Sequence, residues 1–160
     1  MTSTPRIIVA LDHPSAREAL ALIAQLGDAD YGVKVGKELF TREGPALVRE
    51  LVAAGRPVFL DLKFLDIEET VRRATERVAA MGVEFLTIHA NRKALGAAVK
   101  GRGTSPLKLL AVTVLTNFDS QDLREMGIQR TVQELVTARA LLAAEMGCDG
   151  VVASGEEPGV

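Results

Sequence analysis

Residues 59–71 read FLDLKFLDIEETV, and this stretch passes from an apolar strand into a helix within a few residues. Phe59 and Leu60 are apolar, as a buried strand requires, whereas Asp61 and Lys63 place opposite charges where that strand ends. Because side chains alternate along a strand, Asp61 and Lys63 should point to the same face. A charged lysine in a pocket, held beside a carboxylate, can donate a proton and stabilise developing negative charge.

Short apolar segments alternate with helical patterns along the chain. Strands are predicted at residues 6–11, 31–35, 57–62, 83–89, 107–115 and 150–153. Helices are predicted at residues 16–26, 43–54, 67–81, 92–99, 119–126 and 132–146, where apolar residues recur at helical spacing. Strands that are apolar on both faces and alternate with helices predict a parallel sheet whose faces are covered.

This order of strands and helices leaves two α/β architectures open. One is an open doubly wound sheet. The other is a (β/α)8 barrel of which about six strand–helix units are present, because a full barrel typically needs about 250 residues. The first strand–helix turn, residues 11–15, reads LDHPS and lacks the glycines of a dinucleotide-binding loop. In both architectures the active site lies at the carboxyl ends of the strands.

Polar residues gather at those carboxyl ends, whereas the strand interiors remain apolar. They are Asp12, Lys34, Lys37, Asp61, Lys63, Asp66, His89, Asn91, Thr113, Thr116, Asn117 and Ser154. This arrangement predicts a pocket with a few placed polar groups. A simpler interpretation is also open: Asp61 and Lys63 would form a solvated ion pair, and Asp66 would only cap the following helix.

The composition narrows the classes of partner and compartment. The 160 residues carry a net charge of −2, so no broad basic surface is available for nucleic acid. No apolar run approaches the roughly 20 residues of a membrane helix, and the N-terminal segment lacks the pattern of a secretory signal. Cys148 is the only cysteine, which fits a reducing cytoplasm. We therefore expect a cytoplasmic globular protein that binds neither nucleic acid nor membrane.

The charged motif resembles the signature of the orotidine 5'-phosphate decarboxylase family. It reads Asp61-x-Lys63-x-x-Asp66-Ile67-x-x-Thr70, and the segments VALDHPS, VKVGKELFTREGP, FLDLKF, LTIHA and LLAVTVLT resemble the same family in the same order. The resemblance runs from residue 6 to about residue 154. It implies a (β/α)8 barrel, usually a homodimer, that decarboxylates orotidine 5'-monophosphate to UMP in pyrimidine biosynthesis without a metal or an organic cofactor.

The resemblance also implies roles for the residues of the motif. Lys63 would protonate C6 of the pyrimidine as CO2 leaves, and Asp61 would lie near the substrate carboxylate and hold Lys63 in place. Asp66, Ile67 and Thr70 would reach into the active site of the partner subunit. There Asp66 would complete an alternating array of charges, and Thr70 would meet the ribose or phosphate region.

Four further residues are implied to bind substrate. Asp12 and Lys34 would hold ribose hydroxyls, and Thr116 or Asn117 would lie near the edge of the pyrimidine. After its sixth strand the family continues with a Pro-Gly-x-Arg phosphate loop and an eighth strand with a second arginine, whereas this sequence ends at Val160. We therefore expect one domain over residues 1–160 without the last two strand–helix units. An isolated chain of this length is expected to be inactive or severely impaired, and to self-associate through unpaired strand edges.

Two other functions remain open alongside the decarboxylase. The first is a related sugar-phosphate lyase, such as a 3-keto-L-gulonate 6-phosphate decarboxylase or a hexulose-phosphate synthase, which usually needs a metal. The segments Asp-Ile-x-x-Thr and VKVGKELF disfavour that class. The second is a non-catalytic remnant that binds nucleotides weakly or acts only through oligomerisation. The missing phosphate-binding residues favour it, whereas the complete set of Asp61, Lys63 and Asp66 argues against it.

Overall fold

The computed structural model describes residues 7–154 of the chain. Residue 6, where the first strand is predicted to begin, lies outside the described residues. The same holds for residues 1–5 and 155–160 of the predicted domain.

The strands form one parallel sheet in chain order, which distinguishes between the two predicted architectures. Within the described residues the order is β1-β2-β3-β4-β5-β6, and every neighbouring pair is parallel. A doubly wound sheet reverses its strand order at a switch point, whereas a (β/α)8 barrel keeps the order of the chain. The fold is therefore of the (β/α)8 barrel class, with six of its eight strands in residues 7–154. The strands are β1 Ile8–Ala10, β2 Gly32–Gly36, β3 Val58–Phe64, β4 Phe85–His89, β5 Lys108–Val112 and β6 Gly150–Val152.

Two strands end two or more residues away from their predicted carboxyl ends. The third strand is predicted to end at residue 62, but β3 continues through Phe64, so Asp61 and Lys63 lie inside the sheet. Their charges are tolerated there because the two side chains pair with each other. The fifth strand is predicted to reach residue 115, but β5 ends at Val112, where the chain turns away from the sheet.

All six predicted helices are present in the described residues. They are α1 Ala16–Leu26, α2 Lys37–Ala53, α3 Glu68–Ala79, α4 Arg92–Arg102, α5 Ser120–Glu125 and α6 Val132–Glu145. None of them combines the length and the apolar composition of a membrane-spanning segment.

Helix α2 begins six residues before its predicted start at residue 43. Gly44 and Pro45 interrupt the helical pattern of the sequence, so the prediction starts beside them. In the structure the chain only kinks at this point: Gly44 has a φ of 64°, and Pro45 starts the second helical segment. Proline is tolerated there because the first turn of a helix does not use its N–H groups.

The core lies between the sheet and the surrounding helices. The central strands contribute fully buried aliphatic side chains, and each contributes about 1.5–3 kcal/mol relative to exposure. They include Val33, Val35, Leu60, Leu86, Ile88 and Leu109. A second, smaller cluster lies around α5 and α6 and contains Val114, Leu123, Leu135 and Val136.

Helices α3 and α4 pack closely because a glycine lies at their contact. A Cβ at Gly101 would come within 2.3 Å of the backbone oxygen of Arg72. No side chain can occupy that position without moving one of the helices. The packing of α3 therefore depends on Gly101, and α3 follows the loop that carries the charged motif.

Candidate active site

Asp61 and Lys63 form a two-point ion pair at the carboxyl end of β3. The Nζ atom of Lys63 lies 2.8 Å from Oδ1 and 2.9 Å from Oδ2 of Asp61. Their side chains are 15% and 27% exposed, so the pair is largely removed from solvent. The predicted placement of both side chains on one face is confirmed, and the pair is only partly exposed to solvent.

The backbone of Lys63 has an unusual conformation. Its φ is 52°, and it is the only non-glycine residue with a positive φ in residues 7–154. The register shifts at the same place: between Leu60 and Phe64, β3 advances four residues while β4 advances two, from Leu86 to Ile88. A left-handed residue costs about 1–3 kcal/mol, and irregular strands are common beside active sites, where they redirect a side chain.

Thr87 of β4 holds both members of the pair, and sequence reasoning missed it. Its hydroxyl accepts the backbone N–H of Lys63 at 2.9 Å and donates to Oδ1 of Asp61 at 2.9 Å. Thr87 is 0% exposed. Its signal in the sequence is a hydroxyl within the otherwise apolar run Phe85–Ile88, two residues before His89 and on the same face.

Lys34 extends the pair into a chain of alternating charges. Its Nζ atom lies 3.0 Å from Oδ1 of Asp12 and 3.9 Å from Oδ2 of Asp61. The backbone N–H of Leu11 donates to the carbonyl of Lys34 at 2.9 Å and ties the end of β1 to β2. The structure thus brings four of the predicted residues together, in the order Asp12, Lys34, Asp61 and Lys63.

Asp66, Ile67 and Thr70 follow this array but are exposed. Oδ1 of Asp66 accepts the N–H of Ile67 at 2.6 Å, and Ile67, not Asp66, occupies the capping position of α3. The interpretation of Asp66 as a helix cap is therefore wrong. Ile67 is 76% exposed. Lys63, Asp66 and Thr70 border one cavity of about 330 Å³, which Lys37 also lines.

Thr116 and Asn117 lie apart from the charged array. Both are exposed in the loop between β5 and α5, where the N–H of Phe118 closes a turn on the carbonyl of Leu115 at 2.9 Å. Within the described residues, neither side chain forms a hydrogen bond with Asp61, Lys34 or Lys63. The structure therefore does not join these two predicted residues to the rest of the site.

A second cavity of about 260 Å³ lies at the carboxyl ends of β4 and β5. His89 and Arg139 border it, and Arg139 donates to the carbonyl of Thr113. Burial, together with the positive charges of Lys37, Arg139 and Lys63, lowers the pKa of His89. Burial also lowers the pKa of Arg139. Sequence reasoning missed Arg139, because it lies on α6 rather than at a strand end.

Across residues 7–154, no group of three or more His, Cys, Asp or Glu side chains has a geometry that could hold a metal ion.

The sequence of the chain is similar to those of known decarboxylases. The model of the orotidine 5'-phosphate decarboxylase / HUMPS family matches residues 5–160. An orotidine 5'-phosphate decarboxylase of Nitrobacter winogradskyi is 48% identical over 152 residues, which are 95% of this chain and 63% of the relative. One from Rhodopseudomonas palustris (strain HaA2) is 50% identical, over 95% of this chain and 65% of the relative. The chain thus spans a little under two thirds of the length of these curated relatives.

A solved structure gives the same result for the fold. The crystal structure of orotidine 5'-phosphate decarboxylase from Lactobacillus acidophilus matches with a TM-score of 0.89 and 36% identity, over 97% of this chain and 73% of that chain. The same family is indicated by the order of the parallel strands, by the motif around Lys63 and by these similarities. The chain belongs to the orotidine 5'-phosphate decarboxylase / HUMPS family.

Proposed function

We propose that this chain carries the catalytic array of an enzyme that decarboxylates orotidine 5'-monophosphate to UMP in pyrimidine biosynthesis. The observation that carries the proposal is the two-point ion pair of Asp61 and Lys63, held at the end of a barrel strand. Relatives that match 95% of the chain bear the name of this activity. The proposed location is the cytoplasm, and the proposed reaction uses neither metal nor organic cofactor.

The proposed chemistry requires a cation beside the carbon that loses CO2. When the bond between C6 and the carboxyl carbon breaks, CO2 leaves and the electron pair remains on C6. The ammonium of Lys63 stabilises this charge and transfers one proton to C6, so that a C–H bond forms and UMP results. Lys63 then regains a proton from water. Because Asp61 already fixes the ammonium, little reorganisation is needed during the reaction, and such preorganised electrostatics is often the largest catalytic term.

The remaining residues are proposed to bind the substrate. Asp12 and Lys34 offer an acceptor and a donor for ribose hydroxyls beside the ion pair. Thr116 or Asn117 would meet the pyrimidine edge, since both side chains can donate and accept hydrogen bonds. Their exposed loop would have to approach the array when the substrate binds, as active-site loops commonly do.

The active form is proposed to be a homodimer in which Asp66, Ile67 and Thr70 enter the partner's site. Two observations support this. Leu65 and Ile67 expose 57% and 76% of their surface beside the array, which is unusual for large apolar residues. The carboxylate of Asp66 makes its hydrogen bond to its own neighbour rather than to Lys63. A second Asp66 beside Lys63 would extend the alternation of charges.

The test is the conversion of orotidine 5'-monophosphate to UMP, detected by chromatography. Of the two expectations for a chain of this length, inactivity or severe impairment, the proposed function requires the second, so the assay needs a high enzyme concentration and a long incubation. UMP formed by the wild-type chain and not by Lys63→Ala would support the proposal. No UMP from either protein would contradict it. Turnover of 3-keto-L-gulonate 6-phosphate with Mg²⁺, in place of orotidine 5'-monophosphate, would instead favour the sugar-phosphate lyase.

A further inference from the structure

Thr87 lies on β4, next to the strand that carries Asp61 and Lys63. Its single hydroxyl group forms hydrogen bonds with both of these residues. It accepts the backbone N–H of Lys63 and donates its own hydrogen to Asp61, each at 2.9 Å. The direction of the two bonds is unambiguous, because an N–H can only donate and an ionised carboxylate can only accept. The hydroxyl therefore links the conformation of the lysine backbone to the orientation of the carboxylate.

The register shift in β3 explains why Lys63 needs this partner. Leu60 is in register with Leu86 and Phe64 with Ile88, so the residues between them do not follow the regular ladder. The N–H of Lys63 bonds to a side chain instead of to a strand carbonyl. A buried N–H without an acceptor is unfavourable, so the threonine hydroxyl stabilises the left-handed conformation of Lys63.

The other buried threonines provide a contrast. Thr75 donates its hydroxyl to the carbonyl of Val71 within its own helix, and Thr113 donates to the carbonyl of Val152. Each thus satisfies its own hydroxyl hydrogen on a backbone acceptor. Thr87 instead serves a backbone donor and a charged side chain, so burial alone does not account for its contacts.

We propose that Thr87 is a positioning residue for the decarboxylation: through Asp61 and the backbone of Lys63, it sets the place from which the ammonium meets C6. This inference rests on the proposed function for its kinetic consequence, but its structural part does not. The hydroxyl is not proposed to contact the substrate. It affects the position of the Lys63 ammonium, and a displacement of about 1 Å in a reacting group can lower the rate by about 100-fold.

The first test measures hydrogen exchange of the Lys63 amide in the folded chain by NMR. Thr87→Val keeps the shape of the side chain and removes the hydroxyl, so exchange at Lys63 should become about tenfold faster. Thr87→Ser retains the hydroxyl and should restore protection. Thr75→Val removes a buried hydroxyl elsewhere and should leave the Lys63 amide unchanged. Unaltered exchange of the Leu86 and Leu109 amides shows that each variant is folded.

The second test separates kcat from KM for orotidine 5'-monophosphate. Thr87→Val should lower kcat by about 10- to 100-fold with little change in KM, and Thr87→Ser should remain within about threefold of the wild type. Unchanged amide exchange in Thr87→Val would overturn the inference, and so would a serine variant that behaves like the valine variant. A wild-type chain without turnover would contradict the proposed function, whereas the exchange measurement would still decide the role of Thr87.

Discussion

Lys63 and Asp61 are only two residues apart on β3, yet the lysine Nζ lies within 2.9 Å of both carboxylate oxygens. A four-carbon side chain must fold back to reach so near a neighbour. The left-handed backbone of Lys63 accompanies this arrangement, at a φ of 52°. The charged pair and the irregular strand are thus parts of the same local structure.

The backbone conformation at Lys63 predicts an unusual order of stability between two variants. Lys63→Gly should be more stable than Lys63→Ala by about 1 kcal/mol, because only glycine adopts the left-handed conformation without a Cβ clash. Urea unfolding of both variants measures this difference. At Lys34, in the regular strand β2, the order should reverse, since glycine weakens an ordinary strand. An alanine variant at 63 as stable as the glycine variant would refute the explanation.

The packing of α3 on α4 predicts different results for two glycines of the same helix. Gly101→Ala should destabilise the fold by about 1–3 kcal/mol, because the new Cβ would meet backbone and force the helices apart. Gly96→Ala is the matched control: its Cβ would lie 3.1 Å from Cε of Met146, the flexible end of a side chain. There the better helix propensity of alanine should give a neutral or stabilising change. Equal losses in thermal unfolding would contradict this account.

The proposed homodimer predicts that two inactive variants restore activity when mixed. Lys63→Ala removes the proton donor, and Asp66→Ala removes the carboxylate that would enter the partner's site. Each variant alone should show almost no turnover. After subunit exchange, a mixed dimer contains one site with both wild-type residues, so the mixture should regain about a quarter of wild-type activity. No recovery, with exchange verified by mass spectrometry, would place Asp66 in its own subunit's site or outside the mechanism.

The position of His89 predicts part of the loss of stability in acid. Burial and the nearby cations lower its pKa below the ordinary value of 6.5, so the unfolded chain binds a proton at a higher pH than the folded chain. Above about pH 7.5 both states are neutral at this residue and it has no effect, whereas below about pH 6.5 protonation favours the unfolded state. His89→Asn should therefore lose less stability than the wild type between about pH 7.5 and about pH 5.5 in urea titrations. An equal loss in both proteins would show that other groups account for the acid sensitivity.

Local patterns in the sequence were sufficient for much of the fold and for the placement of four candidate residues at one edge of the sheet. The alternation of apolar runs with helical periods predicts every strand and helix, because these periods reflect neighbours only a few residues apart. The same reasoning places Asp61 and Lys63 on one face. It also misplaces the carboxyl ends of β3 and β5, which depend on strand pairing, and the start of α2, where the helix continues across a kink at Gly44.

Only the tertiary structure showed which residues distant in the chain lie next to each other. The order of the strands in the sheet distinguished the barrel from the doubly wound sheet. Local periodicity predicts the same strands for both architectures, because it does not show which strands pair. The contact between Thr87 and Lys63 spans 24 residues and depends on the register of two strands. The sequence by itself therefore determined which elements form and which charges face one another. The folded chain determined the aim of those charges, because register, backbone conformation and buried hydroxyls act together only after the strands have paired.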